Sequence, residues 1–302
     1  MTILNKELLL ASDETIRSFL QSIYAEELND ILTYHLSDDA SACLLRNMNH
    51  RARALVNENR DATKSVLERA EQQFLLAKEK CKHIRSKYAI VFTDLVSSTE
   101  RMNTFGDDNY YSNVILAHNE ILKRVFKNNY GRIIKNIGDA YLVIFSDCYY
   151  CVKACVEAQK EFKELNSKRD DDYRILVRMA IHYGELSFKE VENNNIDIYG
   201  LAVNYTARIV THTDAYEIVC SKPLTDNYGE RLSKHLEIWN EHLEKSNATV
   251  SEDSEESNRR YEEYIQDCAE NLEFSKRIGF TDKKEASLKG FPGTHQLYIT
   301  VY

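Results

Sequence analysis

Two short segments carry aspartates in settings suited to phosphate and metal chemistry. They are Phe92-Thr93-Asp94-Leu95-Val96-Ser97-Ser98-Thr99 and Lys135-Asn136-Ile137-Gly138-Asp139, with the two carboxylates 45 residues apart. Asp94 follows the apolar, strand-length run Tyr88 to Phe92 and leads into Ser97, Ser98 and Thr99, whose backbone N–H groups can turn toward phosphate oxygens at a helix start. Asp139 falls in a turn that Gly138 allows to be tight. Oxygen ligands suit Mg²⁺ or Mn²⁺ better than Zn²⁺. Two carboxylates gathered at strand ends would hold two such cations, which clamp the attacking and leaving oxygens of a phosphoryl displacement. Capping a turn is the usual role of a single aspartate; the joint context makes it the weaker reading here.

A second group lies in Asp197-Ile198-Tyr199-Gly200-Leu201-Ala202-Val203-Asn204-Tyr205-Thr206-Ala207-Arg208. Asn204 and Arg208 are four apart and share one helix face. A guanidinium offers charge to a pentavalent phosphate, and an amide can orient a ribose oxygen. Taken alone, such a pair is more often an exposed polar stripe.

The elements that must position these residues follow from the pattern. Tyr88 to Phe92 reads as a strand, Asn113 to Lys127 as a helix, and Arg132 to Lys135 with Tyr141 to Phe145 as a hairpin around Asn136 to Asp139. A helix over Cys151 to Leu165 and a strand over Ile175 to His182 complete β-α-β-β-α-β, the ferredoxin-like plan of an α+β fold, expected as an antiparallel sheet with helices on one face. A helix over Val203 to His212 and strands over Glu217 to Cys220 and Gln296 to Tyr302 come after it. Residues 1–60 read as an N-terminal helical module and 61–86 as a helical linker, with residues 87–302 as the main domain. In the linker Leu67, Ala70, Phe74, Ala77, Cys81, Ile84 and Tyr88 fit equally a short coiled coil or a helix packed on its own domain. The polar stretch from about 230 to 288 reads as a charged helical insertion, with Ser251 to Ser257 as a linker between two helices.

At 302 residues, 43% of them apolar, the chain can bury a substantial core. Its 39 basic and 48 acidic residues give a net charge of −9, which argues against a nucleic-acid backbone binder. Seven scattered cysteines and no charged-then-apolar leader lead us to expect a cytoplasmic protein, and no apolar run approaches the roughly 20 residues that cross a bilayer. Cys148, Cys151 and Cys155 lack a second ligand pair, so they are expected to be buried small side chains, and His182 a hydrogen-bonded structural histidine.

From about Lys87 to Phe291 the sequence resembles the catalytic domain of class III adenylyl and guanylyl cyclases, on three ordered motifs. The resemblance implies that Asp94 and Asp139 bind two divalent cations, Mg²⁺ or Mn²⁺, with the Leu95 carbonyl as a lesser ligand, and that Ser97, Ser98 and Thr99 face phosphate. It implies that Lys135, four residues before Asp139, and Asp197, seven before Asn204, read the adenine edge, while Asn204 and Arg208 stabilise the transition state. Lys and Asp complement the ring-nitrogen acceptor and amino donor of adenine; guanylyl members carry Glu and Cys there. Ala140 departs from the glycine that many members have after Gly-Asp. Leu288-Lys289-Gly290 looks like the family's Lys-Gly segment, whose lysine can meet the triphosphate.

Because family pockets draw on two domains and this chain has one, a head-to-tail homodimer is expected. The expected activity is a nucleotidyl cyclase acting on a nucleoside triphosphate, ATP to cAMP first. A pyrimidine cyclase making cCMP or cUMP in bacterial antiviral defence and a non-catalytic nucleotide-sensing dimerisation module are the alternatives. No membrane or nucleic-acid partner is expected, and the N-terminal module is the place for a regulator.

Overall fold

The fold comes from a computed structural model that describes residues 3–11, 13–21, 23, 28, 31–32, 36, 40–41, 43–44, 70–71, 73–77, 86–190, 196–246 and 255–302. The chain divides into two compact units, one made of Met1–Ser86, Ser187–Asp197 and Lys234–Glu273, the other of Lys87–Leu186, Ile198–Ser233 and Phe274–Tyr302.

In the first unit, α1 (Ile3–Leu10) and α2 (Asp13–Leu20) place Leu4 and Leu8, then Ile16 and Phe19, at helical spacing, and all four are buried in one core. Ala70, Phe74 and Ala77 from the heptad stretch enter the same core, and Phe74 meets Phe19 edge-on with ring centroids 5.4 Å apart. At these three positions the helix packs on its own unit. Leu67, Cys81 and Ile84 lie outside the described residues, as do most of 61–86 and residues 251–254 of the linker between the two charged helices.

The second unit is built on a seven-stranded sheet, in the order β2-β3-β1-β4-β7-β9-β8. These strands are β1 (Lys87–Leu95), β2 (Arg132–Ile137), β3 (Ala140–Phe145), β4 (Val177–Glu185), β7 (Ile218–Ser221), β8 (Gly279–Ala286) and β9 (His295–Val301). A separate two-stranded sheet pairs β5 (Ser187–Glu190) with β6 (Ile196–Tyr199). Helix α3 (Ser98–Phe105) follows β1, α4 (Leu116–Asn128) precedes β2, α5 (Cys148–Asn166) joins β3 to β4, and α6 (Leu201–Ile209) lies between β6 and β7. The long charged helices are α7 (Lys222–Ser246) and α8 (Glu255–Ser275).

The first four strands take the order the β-α-β-β-α-β reading requires. Three features depart from the sequence reading of a one-faced antiparallel sheet followed by a helical insertion. Strand β7 joins β4 in parallel, with Met179 level with Ile218, because the chain crosses over through α6. Ala180 and Val219 pack with Ile209 of α6, whereas Cys220, one step along β7, faces Cys155 of α5; side chains alternate along a strand, so α5 and α6 cover opposite faces. A third departure is β8, which lies in the stretch read as a helical insertion. Its charges reflect an edge position. The Lys283 ammonium is enclosed, pairing with Glu217 and, at 3.2 Å, with Asp214 ahead of β7, and β8 runs antiparallel to β9 along its length.

Candidate active site

Strand β1 is central and buried from Tyr88 to Val91, and it delivers Asp94 to its far end. The β1–β3 register pairs Phe92 with Leu142, and one step on the Tyr141 N–H donates to the Thr93 hydroxyl at 3.1 Å. The next residues outward are Asp94 on β1 and Ala140 on β3, with Asp139 immediately after it in the turn. Both carboxylates therefore leave the sheet at the same end of adjacent strands. Gly138 takes φ 66°, which the tight turn needs.

The two aspartates are held differently. Asp94 is level with Arg178 across the β1–β4 ladder, and the guanidinium donates to its Oδ2 from Nε at 2.8 Å and also from Nη2. Both bonds converge on one oxygen, so the arginine fixes the carboxylate without engaging its other oxygen. Arg178 also donates to the Thr213 carbonyl at 3.4 Å. The Asp139 Oδ2 is buried and has no hydrogen-bond partner among the described residues. Buried carboxylate oxygens are ordinarily paired, so an unpartnered one at the same sheet end as a second carboxylate fits a cation. Among the described residues no trio of His, Cys, Asp or Glu is grouped for a metal. The protein's share of a cation site would thus be Asp94 and Asp139, with remaining ligands from a substrate phosphate or water.

Between them the chain enters α3 through Ser97, whose φ of 59° is unusual for a residue with a Cβ. The first intrahelical bond runs from the Arg101 N–H to the Ser97 carbonyl at 3.0 Å. The N–H groups of Ser98, Thr99 and Glu100 thus stand in the first turn, where helices leave donors for an anion.

Lys135 is half-buried on β2, where a bulge between Ile133 and Lys135 resets which way its side chain leaves the strand. Asp197 is half-buried on β6. Asn204 and Arg208 are both exposed on α6, whose inner face is Ala202, Thr206 and Ile209. Tight packing explains that orientation. A Cβ on Gly184 would come 2.7 Å from the Ala202 Cβ, and one on Gly200, at φ 148°, 3.1 Å from the Glu185 carbonyl oxygen. Two glycines thus let α6 sit close on β4 with its polar face outward. Tyr199 and Leu201 beside it are 57% and 76% exposed, an apolar rim around the two polar residues.

Leu288 is buried, Gly290 takes φ 91°, and Lys289 between them is exposed. The Nδ1 of His182 lies 2.8 Å from the Ser221 hydroxyl and its ring 4.4 Å from that of Tyr205, a structural setting in which burial lowers its pKa to about 4. Cys148, Cys151 and Cys155 are fully buried, and burial raises the pKa values of Cys148 and Cys151. Arg178 is the site residue that sequence reasoning missed. The signal was present, since a lone arginine in the apolar run from Ile175 to Ile181 needs an anion to face.

The fold and the site together define a nucleotide cyclase catalytic domain. A family model described as the adenylate and guanylate cyclase catalytic domain matches residues 82–242, just over half of the chain, and the chain belongs to that family. It is 31% identical over 151 residues to an adenylate cyclase of Podospora anserina, an alignment covering 44% of this chain and 7% of the relative. An adenylate cyclase of Neurospora crassa is 26% identical over 187 residues, covering 55% of this chain and 8% of the relative. The chain thus spans a small fraction of the length of these curated relatives. Among solved structures, the adenylyl cyclase CyaB from P. aeruginosa aligns at 17% identity and a TM-score of 0.50, over 72% of this chain and 95% of that one. The guanylyl cyclase Cya2 aligns at 15% identity and 0.51, over 72% and 92%. These two likenesses concern the fold.

Proposed function

We propose that this protein is a nucleotidyl cyclase that converts a nucleoside triphosphate, ATP in the first instance, into a 3′,5′-cyclic nucleotide and pyrophosphate, as a homodimer. The observation that carries the reading is the pair of strand-end carboxylates, one steadied by Arg178 and the other buried with an unpartnered oxygen.

In the reaction the ribose 3′-oxygen bonds to the α-phosphorus, the bond from that phosphorus to the bridging oxygen of the β-phosphate breaks, and the 3′-hydroxyl proton passes to solvent. When bound, Mg²⁺ or Mn²⁺ would supply a lower 3′-hydroxyl pKa and neutralise triphosphate charge. Asp94 and Asp139 would hold the cations, with the Leu95 carbonyl as a lesser ligand, and the N–H groups after Ser97 would meet phosphate oxygens. Arg208 stabilises the charge that grows on the pentavalent phosphorus, and Asn204 orients the ribose. Lys135 donates to the adenine ring nitrogen and Asp197 accepts from its amino group. No side chain acts as nucleophile.

The dimer is supported by the exposed face of α6, where Leu201 and Tyr199 flank Asn204 and Arg208. A second copy laid over that face would desolvate the apolar rim and bring the arginine to its partner's triphosphate. Among the described residues no helix is long and apolar enough to cross a membrane.

The test is incubation of the purified protein with ATP, GTP, CTP and UTP and Mn²⁺, with products identified by mass. Cyclic AMP as the main product supports the proposal. Cyclic CMP or UMP would reassign the base-reading role, and nucleotide binding with no pyrophosphate released would make the domain a sensing module.

A further inference from the structure

Behind the β2–β3 turn, three more buried polar atoms share the condition of Asp139 Oδ2. Tyr110 Oη, His118 Nε2 and Tyr141 Oη are without a hydrogen-bond partner among the described residues, and all three side chains are 0% exposed. They belong to one cluster. The His118 ring on α4 lies 5.8 Å from that of Tyr141 on β3 and is stacked 5.8 Å from Phe162 on α5. The Asp139 charge acts on both His118 and Tyr110. The Arg101 guanidinium also acts on the Tyr110 hydroxyl and the Asn136 amide on that of Tyr141, both as donors toward the phenol oxygen, which leaves each O–H free to donate.

Their chemistry is complementary. The His118 Nδ1 lies 3.1 Å from the Asn119 Oδ1, an acceptor, so Nδ1 carries the proton and Nε2 presents a lone pair. Each tyrosine brings a phenol O–H that can donate. The cluster therefore holds two acceptors, Nε2 and Asp139 Oδ2, and two donors, the phenol O–H groups. Two acceptors cannot bond each other; the phenols are what can join them.

We infer that His118, Tyr110 and Tyr141 are positioning residues that hold the Asp139 carboxylate in one orientation for a divalent cation, the phenols donating to Oδ2 and to His118 Nε2 directly or through an enclosed water. The inference rests on the reading of Asp139 as a cation ligand. Metal-binding carboxylates are commonly oriented by such an outer ring of hydrogen bonds, and losing a member of it typically weakens metal affinity about 10–100-fold. The stacked Phe162 supplies an apolar wall that keeps the imidazole from turning away. None of the three residues has any other part in the proposed reaction.

The test is titration of the full chain with Mn²⁺, following free Mn²⁺ by electron paramagnetic resonance, together with melting temperatures recorded without metal. His118→Leu is expected to bind Mn²⁺ about 10–100-fold more weakly, with a melting temperature equal to or above that of the parent because an unpaired polar group is gone. His118→Gln, which returns a polar group near the lost Nε2, should recover most of the affinity. Tyr110→Phe and Tyr141→Phe should each lose about tenfold. Parental Mn²⁺ affinity in His118→Leu and in both Phe variants overturns the inference while leaving the cation site standing. Equal Mn²⁺ binding by the parent and by Asp139→Ala overturns the cation reading itself, and this inference with it. Should His118→Leu fail to fold, the Phe variants, each lacking one oxygen, decide on the same terms.

Discussion

The corner at Asp94 and the corner at Asp139 end neighbouring strands and would serve one reaction, yet the fold prepares them in opposite ways. Asp94 is compensated before any ligand arrives, by an arginine directly across the β1–β4 ladder. Asp139 is placed in a glycine turn with a buried oxygen that has no hydrogen-bond partner among the described residues. A charge with its partner in hand stabilises the folded chain, whereas an unpaired one costs stability that a bound cation would return. The first corner thus has its countercharge from folding, whereas the second leaves that countercharge to a bound cation.

The largest effect on this contrast comes from removing either carboxylate. Asp94→Ala and Asp139→Ala should each lower cyclic nucleotide formation about 1000-fold or more, read as product by mass. Their melting temperatures should move in opposite directions, down for Asp94→Ala, which strands Arg178, and level or up for Asp139→Ala. A shift in the same direction for both would erase the distinction.

Arg208→Ala comes next and tests the exposed face of α6 against the strand ends. It should lower kcat about 100–1000-fold with little change in KM, while the melting temperature stays put because the side chain is exposed. Arg178→Met probes the compensated corner directly. Steady-state assays should show the Mn²⁺ concentration for half-maximal activity rising about tenfold as Asp94 loses its orientation. A fall instead would show that the arginine competes with cations for that carboxylate.

The smallest effect concerns stability alone. His182 titrates at about 4 in the folded protein, below its ordinary 6.5, because burial disfavours the imidazolium. Between those values the unfolded chain binds the proton and the folded one does not, so folding stability is full above about pH 6.5 and declines as pH falls toward 4. The loss reaches about 3 kcal/mol at most. Melting curves between pH 7.5 and 4.5 should therefore slope less steeply for His182→Gln than for the parent.

Much of the fold was legible because its signals are local. The run Tyr88 to Phe92, the hairpin around Gly138 and the cysteine-bearing helix declare themselves by period and by turn residues. Strand β8 did not, since Lys283, Lys284 and Glu285 look like solvent-facing charge, and only the enclosure of Lys283 against Asp214 and Glu217 shows otherwise. The heptad spacing around Phe74 was ambiguous for the same reason. A seam between chains and a core within one unit have the same period, and only the fold shows Phe74 against Phe19 in the core of its own unit.

The amino-acid sequence by itself determined the chemistry on offer: two aspartates at strand ends, small residues before a helix, and an amide and a guanidinium one turn apart. Those depend on residue type and short-range spacing, which a chain carries before it folds. Only the tertiary structure decided how each group is held. It set Arg178 across from Asp94, brought His118 and Tyr110 under the influence of the Asp139 charge, and turned Asn204 and Arg208 outward. Such relations join residues far apart in the chain through strand register and helix packing, and neither is written in any single segment.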